Sequence, residues 1–384
     1  MGTEANSSTV SSVDQALETM PSKAWSKLVT HYKTPSTVRS ILEILITAAP
    51  LCAIWTVAWV ALGQGRWWAL ILTLPAAGFV VRLFMIQHDC GHGSLFRSRA
   101  ANDWVGRCIG VITLTPYSNW RRTHGIHHAT SGNLDRRGLG AVEMLTVDEY
   151  AALPAWRRVA YRLYRHPLVL FGLAPAYLFF LQQRLPVGFM RAGIEPWVGV
   201  MGANLAIACF VATGIILFGA GPFLLIYIPT LAIAATFGVW LFYVQHQFEL
   251  TSWARQADWN VHDSALYGSS YYDLPVVLRW FTANIGVHHV HHLNSGIPFY
   301  RMDEVLRDFP RLRDIGRMTL GASFATVSLS LWDAETNRLV SFREATRLLK
   351  DRQVRADQGA EKTSARSASP AGAGSSAHAH RRGE

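Results

Sequence analysis

The chain has few charged residues and few cysteines for its length. Asp, Glu, Lys and Arg make up 16% of the 384 residues, whereas hydrophobic residues make up 50%. The four cysteines, Cys52, Cys90, Cys108 and Cys209, show no paired spacing, which argues against a disulfide framework and a cysteine-type zinc site. The first 22 residues lack the apolar core of a secretory signal, and the sequence has no internal repeats. With a positive mean hydropathy, these absences indicate one integral membrane unit rather than two soluble domains.

The basic residues do not form a nucleic-acid-binding pattern. The formal net charge is +10, but Lys and Arg cluster in polar segments and near the C-terminus, without interleaved aromatic residues. We therefore expect no nucleic-acid partner. Anionic lipid headgroups or an acidic protein partner fit this charge, and an orienting role under the positive-inside rule is compatible with both.

Four segments are apolar and long enough to cross a hydrocarbon core of about 30 Å at about 1.5 Å per residue. They are residues 41–62, 67–87, 198–218 and 223–245. A fifth apolar segment, 166–186, is short and broken by Pro175, and residues 104–116 are too few to cross. Arg82, near the end of the second span, is expected to extend its charge to the interface. The predicted fold is all-α: four transmembrane helices, one or two interfacial helices and a cytoplasmic helical cap.

Composition divides the chain into three parts. Residues 1–39 are predicted to form an N-terminal cytoplasmic arm, disordered to about residue 22, with Trp25 and Tyr32 at a headgroup interface. Residues 40–352 form the membrane domain. Residues 353–384 are dominated by Ala, Ser, Gly and Arg and are predicted to be a disordered tail.

Histidines form three clusters in the polar segments. The first is His88-Asp-Cys-Gly-His92, the second is His124-Gly-Ile-His-His128, and the third is His288-His-Val-His-His292. Positions i, i+3 and i+4 share one face of a helix, so three of the four histidines in the third cluster lie together and His289 points elsewhere. Neutral imidazole is a ligand for zinc, copper and iron.

The number of histidines indicates two metal ions. The clusters supply eight donors, His246 at the end of the fourth span offers a ninth, and one zinc takes only four ligands. Paired Glu-x-x-His motifs, typical of soluble di-iron bundles, are absent. Two alternative roles do not involve a metal. A single pair of histidines could form a hydrogen-bonded polar pair, and His246 could form hydrogen bonds with nearby polar groups. Five more histidines are predicted to be structural or solvated: His31, His166, His262, His378 and His380.

The clusters can meet only if an even number of spans separates the second from the third. Segment 166–186 is therefore predicted to be interfacial or re-entrant. The region 119–165 is rich in Arg, which places it on the cytoplasmic side. Both termini and the metal site are accordingly expected in the cytoplasm.

The order and spacing of the clusters resemble those of the integral-membrane fatty acid desaturases. The resemblance extends over roughly residues 41–301 and is closest to the bacterial acyl-lipid omega-6 (delta-12) group. Its most specific stretches are His88-Asp-Cys-Gly-His92-Gly-Ser-Leu-Phe, Trp120-Arg-Arg-Thr-His124-Gly-Ile-His-His128, Tyr243-Val-Gln-His-Gln-Phe-Glu249, and Gly268-Ser-Ser-Tyr-Tyr continued by His292-Leu-Asn-Ser-Gly-Ile-Pro-Phe-Tyr300.

The resemblance implies a di-iron centre that uses O2 to introduce a cis double bond into a lipid-linked acyl chain. Its implied ligands are His88, His92, His124, His127, His128, His246, His288, His291 and His292. Electrons would come from a separate donor, a ferredoxin or a cytochrome, and the implied location is a bacterial inner membrane. Four carboxylates are candidates to orient the imidazoles: Asp89, Asp135, Glu249 and Asp273. Cys90 is expected to serve in packing only.

Two other functions are compatible with parts of the sequence. A membrane hydroxylase or ketolase would use the same three clusters, which specify the chemistry better than the product. A metal transporter would need polar or ionisable residues at mid-membrane, and the four spans contain almost none. Regiospecificity, acyl carrier, oligomeric state and any role of His289 are not defined by the motifs.

Overall fold

The computed structural model describes residues 20–367, with side chains for residues 20–362. The helices are α1 (Ser22–Leu28), α2 (Thr37–Gly63), α3 (Thr73–His92), α4 (Arg99–Ile112), α5 (Tyr117–Thr130), α6 (Val147–Ala152), α7 (Ala155–Tyr164), α8 (Leu168–Arg184), α9 (Ile194–Phe218), α10 (Ala220–His246), α11 (Val261–Tyr267), α12 (Val276–Phe281), α13 (His288–Leu293), α14 (Met302–Asp308), α15 (Leu320–Ser323) and α16 (Phe342–Ser367). Tight 3₁₀ turns occupy Val29–Lys33, Trp67–Leu72, Phe299–Arg301, Pro310–Arg313 and Phe324–Ser328.

Within the described residues, four helices are long and apolar enough to span a membrane. They are Thr37–Gly63, Trp67–His92, Ile194–Phe218 and Ala220–His246, which confirms the four predicted spans with slightly wider bounds. The second of these, α3 with its preceding turn, is the central one. In its 18-residue apolar stretch 56% is buried, compared with 17% in the corresponding stretch of α9. The main neighbours of α3 are α2, α4 and α10. Fully buried alanines such as Ala76 and Ala77 allow these helices to approach closely.

Arg82 is buried inside this bundle, and the prediction that it extends to the interface is wrong. Its guanidinium forms an ion pair with the carboxylate of Glu43, and the two side chains are only 3% and 2% exposed. It also donates to Thr47 Oγ1 at 3.1 Å and lies 4.0 Å from the ring centroid of Trp280. A buried charge is tolerated when a partner of opposite sign and hydrogen bonds compensate it.

The segment α8 lies where an interfacial helix was predicted. It is wound mostly as π-helical turns around the buried Pro175. It packs on α10, where the rings of Phe171 and Trp240 are 5.1 Å apart and Thr236 Oγ1 donates to the carbonyl of Phe171 at 2.9 Å. Because α8 is shorter than the four candidate spans, two candidate spans separate the second histidine cluster from the third, which is the even number that their meeting requires.

The polar segments outside the four candidate spans form a cap that contains short strands as well as helices, whereas an all-helical cap was predicted. The strands are β1 (Leu145–Thr146), β2 (Tyr271–Asp273), β3 (Arg317–Thr319), β4 (Leu331–Asp333) and β5 (Arg338–Val340). Strand β4 lies between β1, to which it is parallel, and β5, to which it is antiparallel, and β2 pairs in parallel with β3. Strands of two or three residues carry too few alternating side chains to be recognised by pattern.

The N-terminal aromatic residues face protein. Trp25 is 2% exposed and Tyr32 is 6% exposed, and both rings pack edge-on against Phe309. The Tyr32 hydroxyl also donates to the carboxylate of Asp308. The predicted headgroup contact of these two residues is therefore wrong, because a later segment of the chain covers them. The predicted disorder before residue 20 lies outside the described residues.

The C-terminal boundary also differs from the prediction. Helix α16 continues to Ser367, whereas a disordered tail was predicted from residue 353. Residues 353–367 include Ala, Arg, Gln, Glu and Lys, all good helix formers, and Gln353 donates to Asp357 one turn later at 3.1 Å. Low apolar content thus excluded a packed core here but not a helix. Residues 368–384 lie outside the described residues.

Candidate metal centre

The structure brings the nine histidines together at the polar ends of the spans. They form two groups, in each of which one ring nitrogen per residue lies within 4.8 Å of the others. One group is His88, His92, His124, His128 and His291, and the other is His127, His246, His288 and His292. The rings of His128 and His292 stack 4.1 Å apart and join the two groups. Each group draws on more than one histidine cluster, so neither can form from one segment alone.

The imidazole Nε2 atoms converge on two points. In the first group, Nε2 of His124 lies 3.0 Å from that of His92 and 3.1 Å from that of His128, which in turn is 3.1 Å from His291. In the second group, Nε2 of His246 lies 3.0 Å from that of His127 and 3.1 Å from that of His288, which is 3.1 Å from His292.

These spacings fit metal coordination. Two nitrogens bound about 2.1 Å from one ion are about 3.0 Å apart at right angles and about 3.4 Å apart in a tetrahedron. The observed 3.0–3.1 Å separations match the right-angled arrangement of a five- or six-coordinate ion. The donor set therefore fits two ions held by imidazoles. Hydrogen bonding alone fits less well, because one neutral Nε2 either donates or accepts, yet several of these atoms sit between two others.

The protein keeps these imidazoles in the form that binds metal. Burial lowers the pKa of His124, His127 and His128 well below the usual range for histidine, and the nearby histidines lower it further. The same two causes act on the three ligand-like histidines of the third cluster: His288, His291 and His292. A neutral ring retains the lone pair that a metal requires.

A glycine in the first cluster makes room for the ring that supports the second. A methyl group at Gly91 would lie 2.7 Å from Cζ3 of Trp120. The Trp120 indole stacks on the imidazole of His124 with centroids 4.7 Å apart and an interplanar angle of 13°. Helix α3 then ends immediately after His92, where Gly93 adopts a left-handed conformation with φ of 71°. The order His-Asp-Cys-Gly-His thus combines donors with a close helix contact.

The second cluster is fixed by the start of α5. The hydroxyl of Tyr117 donates to the carbonyl of Cys90 at 2.8 Å and so attaches α5 to the first cluster. Arg121 forms a 2.8 Å ion pair with Asp103 on α4. The side chain of Cys90 is buried, in agreement with its predicted packing role, and its backbone carbonyl accepts the hydrogen bond from Tyr117.

The third cluster depends on the strand before it. The backbone N–H groups of His288 and His289 donate to the carbonyl of Ser270 at 3.2 and 3.3 Å. The backbone N–H of Tyr272 donates to the carbonyl of Gly286 at 2.7 Å. A methyl group at Gly286 would lie 2.4 Å from the backbone carbonyl oxygen of Tyr272. These contacts place the first turn of α13 against the Gly268-Ser-Ser-Tyr-Tyr stretch, which explains why both stretches belong to one pattern.

Of the four candidate carboxylates, Asp89 is the one that the structure places against a ligand-like histidine. Its Oδ1 lies 3.4 Å from Nδ1 of His88, and its Oδ2 accepts a 2.7 Å hydrogen bond from the backbone of Phe299. It therefore links the first cluster to the segment after the third. Asp135 pairs with Arg255, Asp273 pairs with Arg317, and Glu249 is solvent-exposed, so the expectation for these three is not met.

His246, outside the three clusters, and His289, the histidine of the third cluster predicted to point elsewhere, occupy distinct positions. His246 lies in the second group, and its Nδ1 donates to the carbonyl of Gly268 at 3.3 Å, which fixes Nε2 toward the site. His289 is fully buried, but its Nε2 donates to the carbonyl of Leu312 at 2.7 Å. A nitrogen committed to a carbonyl has no lone pair for a metal, so His289 is excluded as a tenth ligand through that atom.

A large apolar cavity adjoins the histidines. Its volume is about 590 Å³, and it is bounded by α3, α5, α8 and α10. His88, His124 and His288 form part of its wall, and it continues along α3 as far as Val80, about 12 Å from His88 at the rise of an α-helix. Its size falls within the 300–1,000 Å³ range of ligand sites. The cavity can thus hold a long apolar molecule with one part against the histidines.

The roles of Trp120, the carbonyl of Gly268 and the cavity wall were not predicted from the sequence. Trp120 precedes His124 by four residues, so one helical face carries both, and this spacing could have identified it. The carbonyl and the cavity depend on tertiary packing and leave no local signal.

Comparison with known proteins agrees with the site. The family model described as "Fatty acid desaturase" matches residues 65–317. A Bacillus subtilis protein named "Fatty acid desaturase" is 40% identical over 323 residues, which cover 84% of this chain and 91% of that protein.

Two proteins from Synechocystis are more distant relatives. One is named "sn-1 acyl-lipid omega-3 desaturase (ferredoxin)" and is 28% identical, with 57% of this chain and 61% of the relative aligned. The other is named "sn-1 oleoyl-lipid 12-desaturase" and is 27% identical, with 62% and 67% aligned. The family match includes all three histidine clusters and the two spans between the second and third, and so the chain belongs to the fatty acid desaturase family.

Proposed function

We propose that this protein desaturates acyl chains of membrane lipids at a di-iron centre held by the nine histidines. The observation that carries the proposal is the contact between the apolar cavity and both groups of histidines, through His88 and His124 of one and His288 of the other. An acyl chain in that cavity would present a methylene to both metal positions. Iron fits an all-imidazole set at right-angled spacing and the oxygen chemistry of the family.

Bound iron would supply the oxidation of an unactivated C–H bond by O2, which no amino-acid side chain supplies. The chain's own residues would do the rest. The cavity walls exclude water and hold the methylene in position. Trp120 braces His124 by stacking, and Asp89 and the carbonyl of Gly268 orient His88 and His246.

The proposed substrate is an acyl chain esterified in a membrane lipid. Two relatives carry acyl-lipid or oleoyl-lipid substrates in their names. The delta-12/omega-6 position stays a prediction, since relatives named for omega-3 and for 12-desaturation match almost equally well. The electron donor is proposed to be a separate protein, and one relative's name specifies ferredoxin.

We further propose that the protein resides in a bacterial inner membrane with its metal centre on the cytoplasmic side. The basic residues support this orientation: Arg157 and Arg158 on α7 are exposed on the side of the cap, whereas the short loop between α9 and α10 carries no charge.

Lipid analysis of a host that expresses the protein tests the proposal. We expect a new cis double bond in the lipid acyl chains with the wild type and none with His291→Ala. A product that gains one oxygen atom without a double bond would instead identify a hydroxylase. Measurement of iron in the purified protein is an independent check, and about two irons per chain are expected for two such sites.

A further inference from the structure

The wall of the apolar cavity includes two side-chain amides whose oxygen atoms lack protein partners. Asn119 and Gln183 both line the cavity. Their amide oxygens are fully buried, and neither has a hydrogen-bond partner among the described residues. By contrast, Gln245 also lines the cavity, but its amide donates to the carbonyl of Ile285 at 3.0 Å. A buried amide without a partner is costly, so this pair calls for a ligand with polar atoms.

Contacts between α8 and the turn before α5 hold the end of α8, which carries Gln183, near the start of the helix that carries Asn119. Arg184, next to Gln183, donates to the carbonyl of Leu114 and, at 2.9 Å, to Asn204 Oδ1 on α9. Leu114 lies in that turn with a positive φ of 54° and itself lines the cavity. The end of α8 is thus held against the segment that leads into Asn119. Asn119 precedes His124 by five residues, about 7.5 Å along the helix.

Uncharged amides select one class of polar group. A carboxylate or phosphate would need cations or several donors for its buried charge. An ester carbonyl is neutral, and the N–H₂ of either amide can donate to it once the amide is oriented accordingly, since the O and N ends of an amide are interchangeable in assignment. The surrounding wall is apolar, as an acyl chain requires.

We propose that Asn119 and Gln183 bind the carbonyl end of the acyl substrate and thereby set which carbon reaches the histidines. This inference rests on the proposed desaturase function. The amides fix the carbonyl, the cavity directs the chain past His88 and His124, and the distance between these points selects the position of the double bond. They are positioning residues, since neither lies among the metal-binding groups.

Product analysis of Asn119→Leu and Gln183→Leu tests the inference. Leucine preserves the approximate volume and removes the hydrogen-bonding groups. The matched control is Gln64→Leu, which removes an exposed side-chain amide that does not line the cavity. We expect each variant to lose about tenfold in its discrimination between double-bond positions, the effect of one lost hydrogen bond. The control should keep the wild-type position.

A binding measurement supports or overturns the inference without turnover. Iron-loaded protein in detergent is titrated with a diacyl lipid, its dialkyl ether analogue and a fatty acyl thioester. The wild type should bind the ester about tenfold more tightly than the ether, and Asn119→Leu should bind both alike. Preference for the thioester over the lipid would identify a soluble carrier as the source of the carbonyl.

Failure of the inference differs from failure of the function. If the wild type forms double bonds and both leucine variants keep its product position and its preference for ester over ether, the amide proposal is wrong and the desaturase proposal stands. If the wild type forms no double bond, both are wrong. Variants are compared only when their iron content and elution volume equal those of the wild type, and the ether titration of the wild type decides the matter if they do not.

Discussion

Individual residues in the histidine clusters have separable roles, and Gly91 shows this most directly. We predict that Gly91→Ala displaces Trp120, because the added methyl would meet its ring at 2.7 Å, and that iron content and activity fall. The control is Gly125→Ala in the second cluster, where a methyl would meet nothing within 4 Å. Alanine there should stabilise α5 by up to about 1 kcal/mol. Iron analysis and thermal unfolding of both variants check this, and equal effects would show that the Trp120 contact is unimportant.

His246 is the ligand-like histidine that lies outside the three clusters. We predict that His246→Ala removes one metal ion and lowers the iron content by about half, because the second group loses one of its four donors. His31→Ala is the control, since His31 is exposed and far from the site in sequence. An unchanged iron content in His246→Ala would restrict His246 to hydrogen bonding with Gly268.

At the scale of elements, Glu149 on α6 is a carboxylate with a shifted pKa that joins this helix to the preceding loop. Burial alone would raise the pKa of Glu149, but hydrogen bonds from Arg137 and from the backbone of Thr146 outweigh it and lower the pKa to about 2. Glu149 forms a capping box with Thr146 and a 2.8 Å ion pair with Arg137. A carboxyl whose pKa is lower in the folded state stabilises the fold above the pKa of the unfolded state, and this contribution is lost as the pH falls toward 2.

Glu149→Gln should therefore lower the unfolding temperature at pH 7, and the difference from the wild type should shrink as the pH falls from about 4.5 toward 2. Thermal unfolding in detergent across this range measures it. Asp148→Asn is the comparison, because Asp148 is largely exposed in its pair with Arg352 and is expected to have a small effect. A pH-independent difference for Glu149→Gln would contradict the assigned cause.

The wall that α10 contributes to the cavity should control the length of the acyl chain. Ala235 is buried and lines the cavity, so Ala235→Phe would occupy part of its volume. We predict a shift in preference toward shorter chains by about tenfold or more, since even one methylene in a fitted pocket is worth 10- to 200-fold. Ile228→Phe on the exposed face of the same helix is the control. Competition between acyl chains of different length measures the effect, and identical profiles for the two variants would show that the substrate does not reach Ala235.

At the scale of the whole molecule, the metal centre can form only if the three histidine clusters lie on the same side of the membrane. The second and third clusters meet across two candidate spans, α9 and α10, and α2 and α3 precede the first cluster. Four crossings would place both ends of the membrane domain on the same side of the membrane. We predict that reporter enzymes fused to the N-terminus and to the C-terminus both give cytoplasmic signals. A reporter fused into the α9–α10 loop should give the opposite signal, and an exported C-terminus would overturn the assignment.

Much of this organisation could be predicted locally, and the limits of that prediction are physical. The four spans, the short α8 and the ligand-like faces of the histidine clusters follow from hydropathy, length and helical spacing. The pairing of Glu43 with Arg82, the burial of Trp25 by Phe309 and the strands of the cap could not be predicted, because each depends on residues distant in the chain. The helix beyond residue 353 was missed for another reason: absence of a core was taken as absence of secondary structure.

The division is clearest at the third cluster. Sequence alone determined that His288, His291 and His292 share a face and that His289 does not, because helical spacing is a property of the local backbone. Only the tertiary structure decided that His291 joins the first group while His288 and His292 join His246 in the second. It also decided that Asp89, rather than the other three carboxylates, contacts a ligand-like histidine. These choices depend on how α3, α5, α10 and α13 pack, and that packing is the sum of many contacts that no single segment encodes.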